Sequence, residues 1–203
     1  MRVLGVDPGL GRCGWAVVEA ARPRARALAY GTVATRTRAA AAPPAAGDEV
    51  APRLLELARR LRAVLGEHHP DCLAVERLFV NANVRTAVSV GQASGVVLLL
   101  AAEQGLPVAS YTPSQVKQAV TGTGTAPKVQ VGYMVRTLLQ LAAMPAPADT
   151  ADALAVALCH LHFAGVAAGS AGAASGLAAA GPAAWLARAA ATSPSMGGGG
   201  TRP

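Results

Sequence analysis

The sequence contains no isoleucine, only two lysines and two asparagines, and aromatic residues make up 3% of its 203 positions. Alanine is abundant instead, with 48 residues, and arginine takes most basic positions, a composition typical of a GC-rich coding genome. The excess of arginine over lysine therefore says little about chemistry. Leucine and valine recur along the chain, which excludes extreme disorder for most of its length. The length suits one domain of ordinary size and a tail.

Long apolar runs, a leader and paired cysteines are also missing. The most apolar run, residues 96–102, is far shorter than the roughly 18–20 residues of a membrane span, so no membrane partner is expected. The N-terminus runs from a strand pattern directly into Asp7, without a charged leader. Cys13, Cys72 and Cys159 lie far apart, which predicts buried free thiols in a reducing compartment and a cytoplasmic protein.

The pattern of apolar residues predicts strands that alternate with helices after an initial meander. Strands are predicted over residues 3–6, 14–19, 27–34, 71–76 and 107–111, and helices over 54–65, 85–104, from 112 onward, 125–141 and 149–163. This order indicates an α/β domain with a mixed sheet. The net charge of +7 favours a polyanionic partner.

Composition divides the chain into two parts. Residues 35–52 read as a loop within the first part. From residue 165 onward alanine, glycine, serine and proline dominate, and four glycines lie close to the end. We therefore expect a folded domain over residues 1–164 and a low-complexity, disordered tail over 165–203.

Four of the 11 acidic residues lie at the boundaries of apolar elements. Asp7 and Glu76 each end an apolar strand, where a carboxylate is costly unless it is paired or binds a cation. Asp149 and Asp152 open the last helix and, three positions apart, share a face. If the four converge, their repulsion requires a cation, and an all-oxygen ligand set favours Mg²⁺ or Mn²⁺.

Each of these acids also has a structural interpretation. Asp7 begins an Asp-Pro-Gly turn, Glu76 could form a salt bridge, and Asp149 could cap its helix. The coincidence of all four at element boundaries favours the metal site. Two ions about 3.5–4 Å apart can hold a phosphate, activate water and stabilise a leaving alkoxide.

Four segments, taken in order, resemble the RuvC family of Holliday-junction resolvases, the crossover junction endodeoxyribonucleases. They are GVDPGLGRCGWAVVE (5–19), AVERLFVNANVRTAVSVGQASGV (74–96), YTPSQVKQAVTGTGTAPKVQVGYMV (111–135) and PADTADALAVALCHLH (147–162). The resemblance implies an α/β fold, a ribonuclease H-like mixed five-stranded sheet flanked by helices, with the strands of Asp7 and Glu76 paired at its centre. It makes residues 1–164 an endonuclease domain.

The resemblance also implies the roles of individual residues. Asp7, Glu76, Asp149 and Asp152 would be catalytic and would bind two Mg²⁺ ions, with Mn²⁺ as a substitute. Lys117 and Lys128, the only lysines, would be catalytic and contact DNA near the scissile phosphate. Phe79 would stack on a base near the junction centre, and Asn81, Asn83 and Arg85 would complete a DNA-contacting segment. Exposed helix lysines and a core phenylalanine are the structural alternatives.

The implied activity is symmetric nicking of four-way junction DNA by a homodimer, leaving 5′-phosphate and 3′-hydroxyl ends, in recombination and repair. The helix with Gly91 and Gly95 is the candidate dimer interface, and the implied partners are a branch-migration motor and its junction-binding subunit, of the RuvB and RuvA type. Two alternatives remain open. One is a non-catalytic junction-binding protein with structural acids. The other is an actin-like ATPase or sugar kinase, which needs a duplicated domain. The four histidines are expected to be structural.

Overall fold

The computed structural model describes residues 1–21, 24–35, 50–77 and 84–172, and in the last range it describes side chains over 86–165. Within these residues a three-stranded meander is followed by alternating helices and strands. The strands are β1 (Arg2–Asp7), β2 (Arg12–Ala20), β3 (Ala25–Ala34), β4 (Cys72–Glu76) and β5 (Val108–Tyr111). The helices are α1 (Val50–His68), α2 (Val84–Glu103), α3 (Pro113–Thr121), α4 (Lys128–Leu139) and α5 (Ala148–Gly172).

The five described strands form one mixed sheet in the order β3-β2-β1-β4-β5, with β1 at its centre. β2 pairs antiparallel with β1 and with β3, as tight connections allow. β4 follows α1 and pairs parallel with β1, and β5 follows α2 and pairs parallel with β4. These are crossover connections, as parallel neighbours require. The predicted mixed sheet is confirmed.

Alternation along β1 and β4 assigns their side chains to two hydrophobic clusters. Leu4, Val6, Leu73 and Val75 pack with residues of α1 and α2. The intervening positions, represented by Val3, Cys72 and Ala74, pack with residues of α3, α4 and α5. Because side chains alternate between faces, the strand ends Asp7 and Glu76 share the face of the second set.

Helix α5 packs directly on the backbone of β1 and β2. A Cβ atom added at Gly5 would overlap the carbonyl oxygen of Ala153 and lie 2.7 Å from the backbone nitrogen of Ala157. A Cβ at Gly14 would likewise overlap the carbonyl oxygen of Asp149. The two glycines therefore let the backbone of α5 approach the sheet closely, and this fixes the distance between the N-terminal half of α5 and the strands.

Helix α3 begins and ends with well-defined caps that fix its position after β5. The Thr112 hydroxyl accepts a hydrogen bond from the Gln115 backbone N–H at 3.2 Å, and the Gln115 side chain accepts one from the Thr112 N–H at 2.8 Å. Pro113 occupies the first helical turn, where its missing N–H costs nothing. Gly122 ends the helix with a left-handed φ of 81°.

Helix α2 has one face in the core and one face open. Ala93, Val97, Leu100 and Ala101 are buried against the sheet. The 18-residue stretch 86–103 is long and apolar enough to cross a membrane by length and composition, although only 22% of it is buried. The sequence prediction counted only the uninterrupted apolar run and therefore missed this stretch.

Two further sequence predictions concern the end of the domain and the cysteines. Helix α5 continues to Gly172 instead of ending near residue 163; the four alanines of residues 164–172 favour helix, and the three glycines there do not interrupt it. The first residues of the predicted tail are therefore helical, whereas residues 36–49 and 173–203 lie outside the described residues. Cys13, Cys72 and Cys159 are buried free thiols, as predicted.

Candidate active site

The carboxylates of Asp7 and Glu76 extend from the ends of the two central parallel strands. The register places Val6 opposite Val75, so the two acids follow side by side at the same sheet edge. The pKa of Asp7 is raised to about 7, first by burial and then by the charges of Asp152, Glu76 and Asp149. Burial and then the charge of Asp152 raise the pKa of Glu76. Among the described residues, this edge therefore concentrates negative charge that burial disfavours.

The first turns of α5 add Asp149 and Asp152, and each is paired with a cation. Arg12 Nε donates a hydrogen bond to Asp149 Oδ2 at 2.8 Å. Lys128 Nζ donates to Asp152 Oδ2 at 3.1 Å. Both acids raise the pKa of Asp7 through their charges, while one carboxylate oxygen of each accepts a hydrogen bond from a basic side chain.

A hydrogen-bonded pair of hydroxyls, one of them fully buried, holds the first turn of α5 on the sheet. Thr150 is fully buried, and its Oγ1 lies 2.9 Å from Oγ1 of Thr32 in β3. Together with the close approach at Gly14, this hydrogen bond fixes the backbone that carries Asp149. The position of Asp149 is thus set by these neighbouring contacts and does not depend on its own side-chain pairing.

Both lysines of the chain border the carboxylates. Lys128 is the first residue of α4, where a cation is disfavoured by the helix dipole, and its hydrogen bond to Asp152 offsets this cost. That bond is also the largest cause that raises the pKa of Lys128. Lys117 of α3 is close enough to Glu76 to lower the pKa of its carboxyl. Both lysines therefore lie beside the path of a phosphate that approaches the acids, although Lys128 is bonded to Asp152.

The donor chemistry fits a hard divalent cation, because all four acidic side chains offer oxygen. Within the part of the chain that the structure describes, no three His, Cys, Asp or Glu side chains are already arranged to hold an ion. Asp149 and Asp152 are directed to Arg12 and Lys128 instead. A metal would therefore have to compete with these two cations for its ligands.

The remaining predicted DNA-contacting residues lie outside the described part of the chain. This applies to Phe79, Asn81 and Asn83 and to the side chain of Arg85. Their predicted roles stay predictions. Sequence reasoning also missed Arg12, which lies 137 residues from Asp149 and is not distinguished from the other arginines by any local pattern. Its only signal is its place two residues before Gly14, on the strand face that α5 covers.

A mixed five-stranded sheet with acidic side chains at the ends of its central strands, and further acids from a helix across them, defines the class of ribonuclease H-like nucleases. Comparison with solved structures agrees. RuvC of Thermus thermophilus in complex with Holliday junction substrate matches with a TM-score of 0.71 and 38% identity, over 81% of this chain and 94% of that one. The yeast mitochondrial Holliday junction resolvase shares the fold, with a TM-score of 0.57 and 15% identity over 80% and 78% of the chains.

Sequence comparisons give the family. The family model described as crossover junction endodeoxyribonuclease RuvC matches residues 3–160. A crossover junction endodeoxyribonuclease RuvC from Frankia alni is 54% identical over 79% of this chain and 78% of its own length. The protein of the same name from Moorella thermoacetica is 48% identical over 81% and 93%. The chain belongs to the RuvC family of crossover junction endodeoxyribonucleases.

Proposed function

We propose that this chain resolves four-way DNA junctions by symmetric, metal-dependent hydrolysis of phosphodiester bonds in recombination and repair. The observation that carries the proposal is the excess of negative charge at the sheet edge, where the pKa of Asp7 rises to about 7. Such a costly cluster of acids is typical of a site that binds cations, and the bound cations can hold a phosphate. The two lysines beside it suit a phosphate ligand.

Asp7, Glu76, Asp149 and Asp152 would hold two Mg²⁺ ions, and Mn²⁺ would substitute because it takes the same oxygen ligands. When bound, the ions supply Lewis acidity at the phosphate and lower the pKa of an attacking water. The two strand acids keep their ligand atoms at a rigid edge, which favours a fixed geometry.

Lys117 and Lys128 would contact the scissile phosphate from α3 and α4. Lys128 would exchange its bond with Asp152 for a phosphate oxygen as DNA binds. Phe79 would stack on a base at the junction centre. Asn81, Asn83 and Arg85 would contact the DNA beside it.

A second copy of the chain would cover the open face of α2, giving a two-fold dimer that nicks two like strands and leaves 5′-phosphate and 3′-hydroxyl ends. Val88, Leu98 and Leu99 are exposed there, Leu99 to 58%. Gly91 and Gly95 have no atom within 4 Å of an added Cβ, so another helix can approach closely.

The dimer is tested by Leu99→Glu, which places a charge on the open face and should give a monomer by light scattering. Leu55→Glu is the matched control, because Leu55 of α1 is also exposed, to 49%. A wild-type monomer, or a dimer that survives Leu99→Glu and also the double variant with Val88→Glu, would reject this interface.

The remaining assignments concern partners, compartment and domains. A branch-migration motor and its junction-binding subunit, of the RuvB and RuvA type, would deliver the junction. The cytoplasm suits the three free thiols. The endonuclease domain would comprise residues 1–164, which the family match over residues 3–160 supports, and residues 165–203 would form a tail.

The test of function is a synthetic four-way junction incubated with Mg²⁺ and the wild type, Asp7→Asn, Glu76→Gln or the control Glu56→Gln. Glu56 pairs with Arg60 on α1, away from the sheet edge. We expect paired nicks from the wild type and the control. Asp7→Asn and Glu76→Gln should bind the junction without nicking it, because loss of negative charge does not weaken phosphate binding. Binding without nicking by the wild type would favour the non-catalytic alternative.

A further inference from the structure

The ion pair between Arg12 and Asp149 occupies a carboxylate that the proposed function assigns to a metal. Arg12 Nε lies 2.8 Å from Asp149 Oδ2. The arginine side chain is 53% exposed and the aspartate 30% exposed. The guanidinium therefore lies at the rim of the site, where it can leave the carboxylate without opening the core.

The backbone around Asp149 is held by contacts that do not involve Arg12. The close approach at Gly14 and the hydrogen bond between Thr32 and Thr150 fix the first turn of α5. When the pair opens, the arginine is consequently the partner that moves. Asp149 stays beside Asp7, whose pKa its charge already raises.

Arg12 and a divalent cation compete for the same negative charge, and they repel one another across it. A DNA backbone has the opposite effect on the arginine, because a guanidinium forms bidentate, charge-assisted hydrogen bonds with phosphate. A phosphate near the site thus offers Arg12 a replacement for Asp149. The carboxylate that it leaves becomes available to metal.

We propose that Arg12 is a positioning residue that couples junction binding to metal binding by holding Asp149 until a backbone phosphate takes the guanidinium. The inference rests on the proposed function, since it needs both ligands. Coupling between binding sites is reciprocal, so the junction should tighten metal binding and metal should tighten junction binding. An ion pair this exposed supports an effect of about three- to fivefold.

The test is calorimetric titration with Ca²⁺, a probe that takes oxygen ligands, into the full-length protein with and without a four-way junction. The junction is checked afterwards for nicks. Arg12→Gln should bind Ca²⁺ about three- to fivefold more tightly than the wild type without DNA, and the gain caused by the junction should fall by a similar factor. Arg60→Gln, which removes the same charge from a surface pair on α1, should match the wild type in both titrations.

Arg12→Lys tests the same step with the charge retained, and its Ca²⁺ affinity should lie between those of wild type and Arg12→Gln. Thermal unfolding shows whether both variants are folded. If Arg12→Gln is unfolded, the Ca²⁺ affinity of Arg12→Lys alone tests the coupling. Unchanged or weaker Ca²⁺ binding by these variants would overturn the coupling and leave the proposed function intact. A wild type that binds neither Ca²⁺ nor Mn²⁺ would overturn both.

Discussion

Helix α5 passes two polar clusters on the same face of the sheet. One consists of neutral groups that bond to one another, and the other gathers four acidic side chains. The carboxylate cluster consists of Asp7, Glu76, Asp149 and Asp152. The histidine cluster consists of His160, further along the same helix, together with Cys72 of β4 and Tyr111 of β5. The comparison separates a polar group kept for stability from one kept for binding.

In the histidine cluster each polar group has a partner and stays neutral. His160 Nδ1 lies 2.8 Å from the Tyr111 hydroxyl, and its Nε2 lies 3.3 Å from Cys72 Sγ. Burial lowers the pKa of His160 and raises that of Tyr111 to about 12, so both remain uncharged near neutral pH. Phe163 stacks on Tyr111 with ring centroids 5.5 Å apart. Such a satisfied network specifies packing and needs no ligand.

The carboxylate cluster retains charge that its surroundings disfavour. Burial shifts the pKa of Asp7 as it does that of His160, but neighbouring acids add to the shift at Asp7, whereas burial is the only cause at His160. Asp149 and Asp152 have basic partners, but both ion pairs lie at the surface, where such a pair contributes little to stability. The cluster therefore costs folding energy that ligand binding can return.

The largest expected effect separates the clusters by activity. Asp152→Asn should lower junction nicking by roughly a thousandfold, because losing a metal ligand removes several kcal/mol of transition-state stabilisation. His160→Gln, at the other cluster, should remain within about threefold of the wild type. The assay is junction nicking under single-turnover conditions at saturating enzyme. Equal losses in the two variants would mean that the clusters do not divide function in this way.

The juxtaposition of Asp7 and Glu76 could be predicted from sequence because it depends on local signals. Each acid ends an apolar strand, and neighbouring parallel strands present their ends at one edge. The pairing of Arg12 with Asp149 could not be predicted, because the two residues lie 137 positions apart and Arg12 is one of many arginines. The link from Cys72 to His160 spans 88 residues and depends on where α5 crosses β4. Tertiary packing decides such contacts, and no periodicity records them.

A smaller effect, of opposite sign in the two clusters, is expected on stability at pH 8 without metal. His160→Ala should cost about 2–3 kcal/mol, because it leaves a cavity and removes the partner of the Tyr111 hydroxyl. Asp7→Asn should gain about 1 kcal/mol, because it removes a disfavoured charge and keeps the shape of the side chain. Urea unfolding measures both free energies. A destabilised Asp7→Asn would show that the carboxylate is satisfied in the metal-free protein.

A third contrast between the clusters concerns the pH dependence of stability between pH 4 and 7. The pKa of Asp7 rises on folding from 3.8 to about 7, so the folded state binds more protons and stability falls as pH rises through this range. The pKa of His160 falls below 6.5 on folding, so the unfolded state binds more protons and stability is lost as pH falls below 6.5.

The two clusters thus make the unfolding free energy change with pH in opposite directions, and the two changes partly cancel in the wild type. Asp7→Asn should make the change of unfolding free energy with pH more positive, and His160→Gln should make it more negative. Urea unfolding at several pH values without metal measures the slopes. If either substitution leaves the wild-type slope unchanged, the residue it replaces does not titrate differently on folding, and the contrast between a charged and a neutral cluster fails at that residue.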